Sequence, residues 1–160
     1  MVPALLTLTA VVWFALLILA PVLPVPIAGI VYAVGSRICH QRPERSFHLF
    51  AVQLPVCARC AGIYGGAAVG LLLTLSASIR GRLFPFSPRM LLVAGGLPTL
   101  LTLILEWSGA WAGANNVRAA AGVTLGAAVA FVVTRATPTL HYGGCVPRRP
   151  IASNRPFTLI

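Results

Sequence analysis

Long apolar segments constrain this chain of 160 residues more than any other feature of its sequence. A helix that crosses a membrane needs about 20 mostly apolar residues. Four segments approach that length, and short polar or arginine-containing stretches separate them. The predicted spans cover residues 3–23, 57–79, 90–107 and 117–136. The pattern therefore predicts an all-α fold, a polytopic membrane helix bundle with about four transmembrane helices.

The composition supports the same class of protein. Hydrophobic residues make up 58% of the chain and charged residues 9%, whereas soluble domains carry about 25% charged residues. These values exclude a soluble globular domain, a disordered chain and a disulfide-rich secreted module. The first apolar segment lacks a basic start and a small-residue cleavage site, so we interpret it as a retained anchor.

Prolines divide the N-terminal region. Pro21, Pro24 and Pro26 are expected to end the first span, because proline removes a backbone donor and clashes with the preceding turn. Residues 27–38 are apolar but too short to cross a membrane unaided, which predicts a short re-entrant or interfacial helix, with a short tilted span as the alternative. We expect residues 1–137 to form a single transmembrane helical domain and residues 138–160 a basic, proline-rich, flexible tail.

Small residues recur at four-residue spacing in two of the spans. They are Gly62, Gly66 and Gly70 in the second span, and Gly122 and Gly126 in the fourth. This spacing lets helices approach closely in lipid. It predicts a packing seam within the chain, or a contact in a homo-oligomer or a larger membrane complex.

The charge balance is one-sided, with twelve arginines and two glutamates, and it is typical of a membrane protein. The arginines lie in the loops and the tail, where they are expected to contact membrane lipid, so we predict no nucleic-acid binding. Following the spans in order places Glu106 and Arg118 at the same membrane face as the cysteines of residues 39–60. Seven arginines fall on the opposite face, which the positive-inside rule assigns to the cytoplasm, leaving the cysteine face extracytoplasmic.

A cysteine–histidine pattern brackets the polar stretch before the second span. Cys57 and Cys60 stand one turn apart at a helix start, where the helix dipole and nearby arginines favour thiolate. Cys39 and His40 add a third sulfur and an imidazole, which together make a tetrahedral zinc (Zn²⁺) ligand set. His48 is the alternative to His40 as the nitrogen ligand.

Other interpretations of the cysteines stay open. They are a disulfide or a thiol redox pair, and simple packing of small apolar side chains. Four protein ligands are typical of a structural metal, whereas three leave a position open for chemistry. Cys145 is predicted to lie in the tail on the opposite face, outside the site.

Glu106 and Arg118 are the candidate catalytic residues. A charged side chain within a lipid-embedded helix is costly and usually has a partner, so the two are expected to pair. As a site wall, the arginine would hold an anionic group and the carboxylate would act as a base or orient a ligand. As a structural pair, they would fix the hairpin between the third and fourth spans. Arginines of the polar stretch are also candidates for contacts with lipid phosphates: Arg42, Arg45 and Arg59.

These motifs resemble those of a family of small predicted membrane proteins of bacteria and archaea whose function is unknown. The resemblance rests on Cys39-His40-Gln41, Arg45-Ser46-Phe47, and the run from Pro55 to Cys60 followed by Gly62-Ile63-Tyr64. A second motif, Asn115-Asn116-Val117-Arg118, is also similar, and Glu106 best matches an acidic residue found near the end of the third span. The resemblance implies an integral protein of a prokaryotic cell membrane with a cysteine-rich motif, and no established reaction.

Three hypotheses of function follow. The first is an integral membrane protein with a Cys/His zinc site at one membrane face and a mainly structural or scaffold role. The second is a membrane metalloenzyme, hydrolase-like, that acts on an anionic, lipid-like substrate. The third is a thiol redox or metal-handling membrane protein.

Overall fold

A computed structural model describes residues 2–76, 78, 79, 81 and 86–137 of the chain. The predicted tail, residues 138–160, lies outside the described residues, and Cys145 lies there with it. The described part is a helical bundle with one small sheet. In chain order its elements are α1 (Val2–Leu19), α2 (Val25–Ile38), β1 (Ser46–Leu49), β2 (Val52–Cys57), α3 (Ala58–Thr74), α4 (Pro88–Trp107) and α5 (Asn115–Ala136).

Three of the described helical segments are long and apolar enough to cross a membrane. They are α1 with the turn that follows it (Val2–Val22, 21 residues), α4 with 20 residues and α5 with 22 residues. The prediction of an all-α membrane helix bundle is therefore confirmed.

The second predicted span, residues 57–79, is longer than the helix found there. Helix α3 has 17 residues and ends at Thr74, which puts it at the lower limit of about 17 residues for a spanning helix. It ends because the N–H groups of Leu75 and Ser76 donate to carbonyls three residues back, at 3.1 Å each, instead of four.

Prolines separate α1 from α2 as predicted. Helix α1 ends at Leu19, a 3₁₀ turn with Pro21 covers residues 20–22, and Pro24 precedes the first residue of α2. With 14 residues, α2 is about 21 Å long at 1.5 Å per residue, shorter than the roughly 30 Å of a bilayer core. This agrees with the prediction of a short helix after the first span.

The stretch between α2 and α3 contains an antiparallel β-hairpin that we did not predict. Ser46 pairs with Cys57, His48 with Gln53 and Leu49 with Val52. Phe50 and Ala51 form the turn, with φ angles of 51° and 65°. Both angles are left-handed, as in the two-residue turns that usually carry asparagine or glycine. Because neither residue type is present, the hairpin could not be recognised from its turn residues.

The predicted glycine seam is an intramolecular contact between α3 and α5. A Cβ atom at Gly62 would overlap the carbonyl of Ala119, and one at Gly126 would overlap the carbonyl of Ile63. Only glycine lets the two backbones approach this closely. The seam places the first turn of α3 directly beside the first turn of α5.

Threonine side chains connect α5 to α4 on its other side. Thr99 Oγ1 donates to the carbonyl of Ala121 at 2.7 Å, and Thr124 Oγ1 donates to the carbonyl of Gly95 at 2.8 Å. Hydrogen bonds between helices contribute to packing where lipid surrounds the bundle. They set the position of α4, whose last turn carries Glu106.

A candidate metal centre beside an arginine-lined pocket

Three cysteines from three adjoining elements meet below the hairpin. Cys39 follows the last residue of α2, Cys57 ends β2 and caps α3, and Cys60 lies in the first turn of α3. Their Sγ atoms all lie within 4.8 Å of one another. The N–H of Cys57 also donates to Cys39 Sγ at 3.2 Å. All three cysteines are free thiols.

The two histidines predicted as alternative nitrogen ligands lie outside this group of sulfurs. Among the described residues, the metal-ligating atoms that converge belong to Cys39, Cys57 and Cys60 alone. His40 is exposed and lies on the wall of the pocket that the cysteines also line. His48 is exposed on β1, where it pairs with Gln53. A nitrogen ligand therefore stays a prediction, and His40 is the nearer candidate.

Hydrogen bonding favours the ionised form of one of these thiols. Cys57 precedes α3, and hydrogen bonds from the Cys60 side chain lower the pKa of the Cys57 thiol to about 5, although burial opposes the shift. Further hydrogen bonds, from the Cys60 backbone and the Cys39 thiol, act in the same direction. The thiolate is the form that binds a soft metal ion.

A glutamine network holds the two sides of the cysteine group together. Gln41 donates from Nε2 to the carbonyls of Pro55 at 2.7 Å and Tyr32 at 3.1 Å, and Gln53 donates back to the carbonyl of Gln41 at 2.5 Å. At Gly35 a Cβ would overlap the carbonyl of Pro55. The network thus fixes the end of α2 against β2, which brings Cys39 to Cys57.

Glu106 lies at the centre of a second cluster, next to the cysteines. Its side chain is 2% exposed, and its Oε1 accepts hydrogen bonds from Arg118 Nε at 2.9 Å and from Arg59 Nη2 at 3.0 Å. Arg45 Nη1 lies 3.6 Å from Oε2. The predicted pair of Glu106 with Arg118 is therefore present, and two more arginines share the same carboxylate. A catalytic role for the pair stays a prediction.

Arg118 is held in one orientation by the first residue of α5 and by the loop before it. Its Nη1 donates to Asn115 Oδ1 and its Nη2 to the carbonyl of Ala112, both at 2.8 Å. Asn115 in turn donates to the carbonyl of Ser46 on the hairpin at 3.1 Å. The polar residues at the α4–α5 end thus contact the cysteine-bearing segment, as predicted from the order of the spans.

Two of the three partners of Glu106 were not foreseen as its partners. Arg45 and Arg59 belong to the cysteine-rich motif, and the sequence separates Arg59 from Glu106 by 47 positions. The available signal was an excess of arginine over two acidic residues, Glu44 and Glu106, which predicts ion pairs without saying which arginines form them. Thr102 accepts a hydrogen bond from Arg59 Nη2 at 3.2 Å. Nothing in the sequence pattern indicated that this threonine belongs to the site.

An open pocket of about 570 Å³ joins the two clusters. Its volume falls within the range of about 300–1,000 Å³ that is typical of small-molecule sites. The cysteines and arginines form its polar wall, and Glu106 lies behind the arginines. The lining residues are Ile38, Cys39, His40, Gln41, Arg42, Arg45, Cys57, Arg59, Cys60, Leu103, Trp107 and Arg118.

Parts of this chain are similar to uncharacterized archaeal proteins. An uncharacterized protein of Methanocaldococcus jannaschii is 57% identical over 42 residues, which are 26% of this chain and 27% of that protein. An uncharacterized protein of Methanothermobacter thermautotrophicus is 57% identical over 30 residues, 19% of this chain and 27% of that protein. The chain thus spans 27% of the length of each of these curated relatives. No solved structure matches it.

The family comparison covers both clusters. The family described as "Predicted membrane protein (DUF2085)" matches residues 39–132, from Cys39 to the last turns of α5. The match takes in more than half of the chain and confirms the resemblance that the motifs indicated. The chain belongs to this family of predicted membrane proteins, DUF2085.

Proposed function

We propose that this membrane protein binds one zinc ion through the thiolates of Cys39, Cys57 and Cys60. The convergence of their three Sγ atoms within 4.8 Å carries the proposal. Sulfurs bound at about 2.3 Å to one tetrahedral ion lie roughly 3.8 Å apart. The observed spacing is therefore close to that of a bound set, and small side-chain rotations would close it.

The donor set favours zinc among the common metals. Thiolate ligands select soft or borderline ions such as Zn²⁺ and Cu⁺ rather than Mg²⁺ or Ca²⁺. Three sulfurs would leave one tetrahedral position for a further ligand, and all three cysteines line the pocket. His40 on the pocket wall, or a small ligand from the pocket, would complete the coordination.

The first role of such an ion is structural. It would join the end of α2, the end of β2 and the first turn of α3, which are the elements that carry the three thiolates. A shared ion stabilises the arrangement because the unfolded chain holds no preformed site. This agrees with a scaffold role at one face of the membrane.

The pocket favours a second candidate function, a hydrolase-like metalloenzyme acting on an anionic, lipid-like substrate. Zinc enzymes keep one coordination position open for water or substrate, and here that position would face an arginine-lined cavity. Arg118 lines the cavity, whereas Glu106 is 2% exposed and accepts hydrogen bonds from Arg59 and Arg118. In this function Arg118 would contact the substrate and Glu106 would be a positioning residue.

Zinc content of purified variants tests the metal proposal. The wild-type protein should hold about one zinc per chain, and Cys39→Ser, Cys57→Ser and Cys60→Ser should each lose most of it. Cys145→Ser is the matched control and should keep its zinc. A wild-type protein that takes up no zinc, or a Cys145→Ser variant that loses it, would contradict the proposal.

Cobalt substitution separates the two roles. Tetrahedral Co²⁺ gives absorption bands that respond to each ligand. If His40 is the fourth ligand, His40→Ala should change these bands, whereas inorganic phosphate should not. If the fourth position is open, phosphate or another small anion should change the bands, and His40→Ala should not. The first result supports the scaffold role and the second supports the enzyme.

We also propose that the cysteine face is extracytoplasmic. The order of the spans assigns seven of the twelve arginines to the opposite face and five to the cysteine face. Of those seven, the structure describes Arg89 at the start of α4 and Arg135 at the end of α5. The positive-inside rule assigns the face with more arginines to the cytoplasm. A His48→Cys reporter on the exposed hairpin should react with an impermeant maleimide in intact cells, and an Arg89→Cys reporter should react only after lysis. The reverse pattern, measured against the wild-type background, would overturn this orientation.

A further inference from the structure

We propose that Arg45, Arg59 and Arg118 form a binding site for a phosphate group, supplied by a lipid headgroup or by free phosphate. The proposal goes beyond the zinc site and does not depend on it. It rests on charge, burial and the shape of the pocket.

The arginines around Glu106 carry more charge than their partners neutralise. Three guanidinium groups lie within 4.0 Å of this one carboxylate. Arg42, on the same pocket wall, already has Glu44 at 4.0 Å. Two positive charges therefore remain without a counter-ion among the described residues. Three thiolates on Zn²⁺ would carry one net negative charge and would offset only one of them.

Burial makes this excess charge costly. The Arg118 side chain is 6% exposed and that of Arg59 is 15% exposed. Among the described residues, Arg59 Nε is a buried donor without a hydrogen-bond partner. A buried charge or donor without a partner is destabilising. An anion in the adjoining pocket would supply both the missing charge and an acceptor.

The geometry favours a phosphate over a smaller anion. Guanidinium groups on several sides can bind the several oxygens of one phosphate, and paired arginine donors are typical of phosphate recognition. Arg118 is already oriented by Asn115 and Ala112, so little side-chain freedom would be lost on binding. The cavity of about 570 Å³ has room for a headgroup.

The residues on the rim of the pocket favour a position near lipid headgroups. Trp107, on its rim at the end of α4, is 81% exposed. Exposed tryptophan at the end of a membrane helix is typical of the interface between lipid and water. Ile38 and Leu103 form an apolar part of the pocket wall beside the arginines. They could contact the first carbons of a lipid acyl chain. A phospholipid with an exposed phosphate would thus reach the arginines from the bilayer.

Equilibrium binding of tail-labelled phosphatidic acid to the full chain in neutral detergent tests the proposal. Wild-type protein should bind it at least about tenfold more tightly than phosphatidylcholine, and Arg45→Gln should weaken binding about tenfold. Arg45 is the residue to substitute because Glu106 would still form its ion pairs with Arg59 and Arg118, so the cluster should stay folded. Arg89→Gln, at the exposed start of α4, is the matched control and should bind like the wild type.

Inorganic phosphate separates the two sources of the ligand. Competition by millimolar phosphate would indicate that the site takes the phosphate group alone, and lipid binding without competition would indicate a lipid site. Equal binding of both lipids by the wild type, or equal weakening by Arg45→Gln and Arg89→Gln, would overturn the proposal. Zinc measured in the same samples keeps the two proposals apart, because a zinc-free protein that selects phosphatidic acid would contradict only the metal site.

Discussion

Arg59 donates a hydrogen bond from Nη2 to Glu106 Oε1 at 3.0 Å, and this contact joins the two clusters of the site. Arg59 stands between Cys57 and Cys60 at the start of α3, whereas Glu106 lies in the last turn of α4. The position of the cysteine-bearing turn is therefore linked to the far helix hairpin. A substitution of Glu106 should therefore alter the arrangement of the cysteines.

Loss of the Glu106 charge should destabilise the protein strongly. Glu106→Gln leaves three arginines without their shared carboxylate, and breaking a buried ion pair on one side costs roughly 3–5 kcal/mol. Thermal unfolding in detergent should therefore occur at a clearly lower temperature.

Glu44→Gln is the matched control for this change. The Glu44 side chain is 63% exposed and lies 4.0 Å from Arg42, so its removal should cost less than about 1 kcal/mol. If the two variants unfold at the same temperature, Glu106 is not the centre of a stabilising cluster.

Removal of the proposed zinc ion should destabilise the contacts among α2, β2 and α3. An ion that binds only the folded state stabilises it by an amount that grows with the logarithm of the free ion concentration relative to the dissociation constant. A strong chelator should lower the unfolding temperature of the wild type, and added zinc should restore it. Cys57→Ser should unfold at the same temperature with and without chelator. If neither the chelator nor added zinc changes the unfolding temperature of the wild type, the result would argue against an ion between α2 and α3.

The alkylation of Cys57 in metal-free protein should depend on pH in an unusual way. An ordinary thiol has a pKa of about 8.5, and below that value its thiolate fraction rises about tenfold per pH unit. The Cys57 pKa of about 5 means that its thiolate predominates above that pH and is lost as the pH falls through it. Its rate of reaction with iodoacetamide should be nearly flat from pH 6 to pH 8 and should fall below pH 5.

Cys60→Ala provides the comparison, because hydrogen bonding by Cys60 is the main cause of the low pKa. In this variant the rate should again rise with pH between 6 and 8. A wild-type profile that rises steeply over the same range would show that Cys57 is an ordinary thiol. Mass spectrometry of the peptide that contains residue 57 measures both profiles.

Larger residues in the glycine seam should disrupt the packing of α3 against α5. Gly126→Ala places a Cβ against the carbonyl of Ile63, and overpacking of this kind costs typically 1–3 kcal/mol. Gly29→Ala is the matched control, since a Cβ at Gly29 in α2 meets nothing within 4 Å. Equal unfolding temperatures for the two variants would contradict the seam.

Features that depend on local chemistry could be predicted from the sequence. Apolar length and prolines predicted the helices, and small residues at four-residue spacing predicted the seam. The spacing of Cys57 and Cys60, with Cys39 across a polar stretch, predicted the sulfur group. Glu106 and Arg118 could be paired because only a short loop separates their helices.

Features that depend on tertiary contact could not be predicted. The hairpin was missed because Phe50 and Ala51 take left-handed φ angles without the residue types that favour them. The contacts of Arg45 and Arg59 with Glu106 depend on where the tertiary fold places the turn before β1 and the first turn of α3 relative to the end of α4. The exposed position of His40 follows from the backbone at the end of α2, since neighbouring residues of an extended segment point in opposite directions.

X-ray absorption at the zinc edge of the purified wild-type protein tests the central claim most directly. We expect about three sulfur atoms at about 2.3 Å and one nitrogen or oxygen at about 2.0–2.1 Å. A spectrum fitted by nitrogen and oxygen alone would contradict a zinc ion held by Cys39, Cys57 and Cys60, as would one requiring four sulfurs.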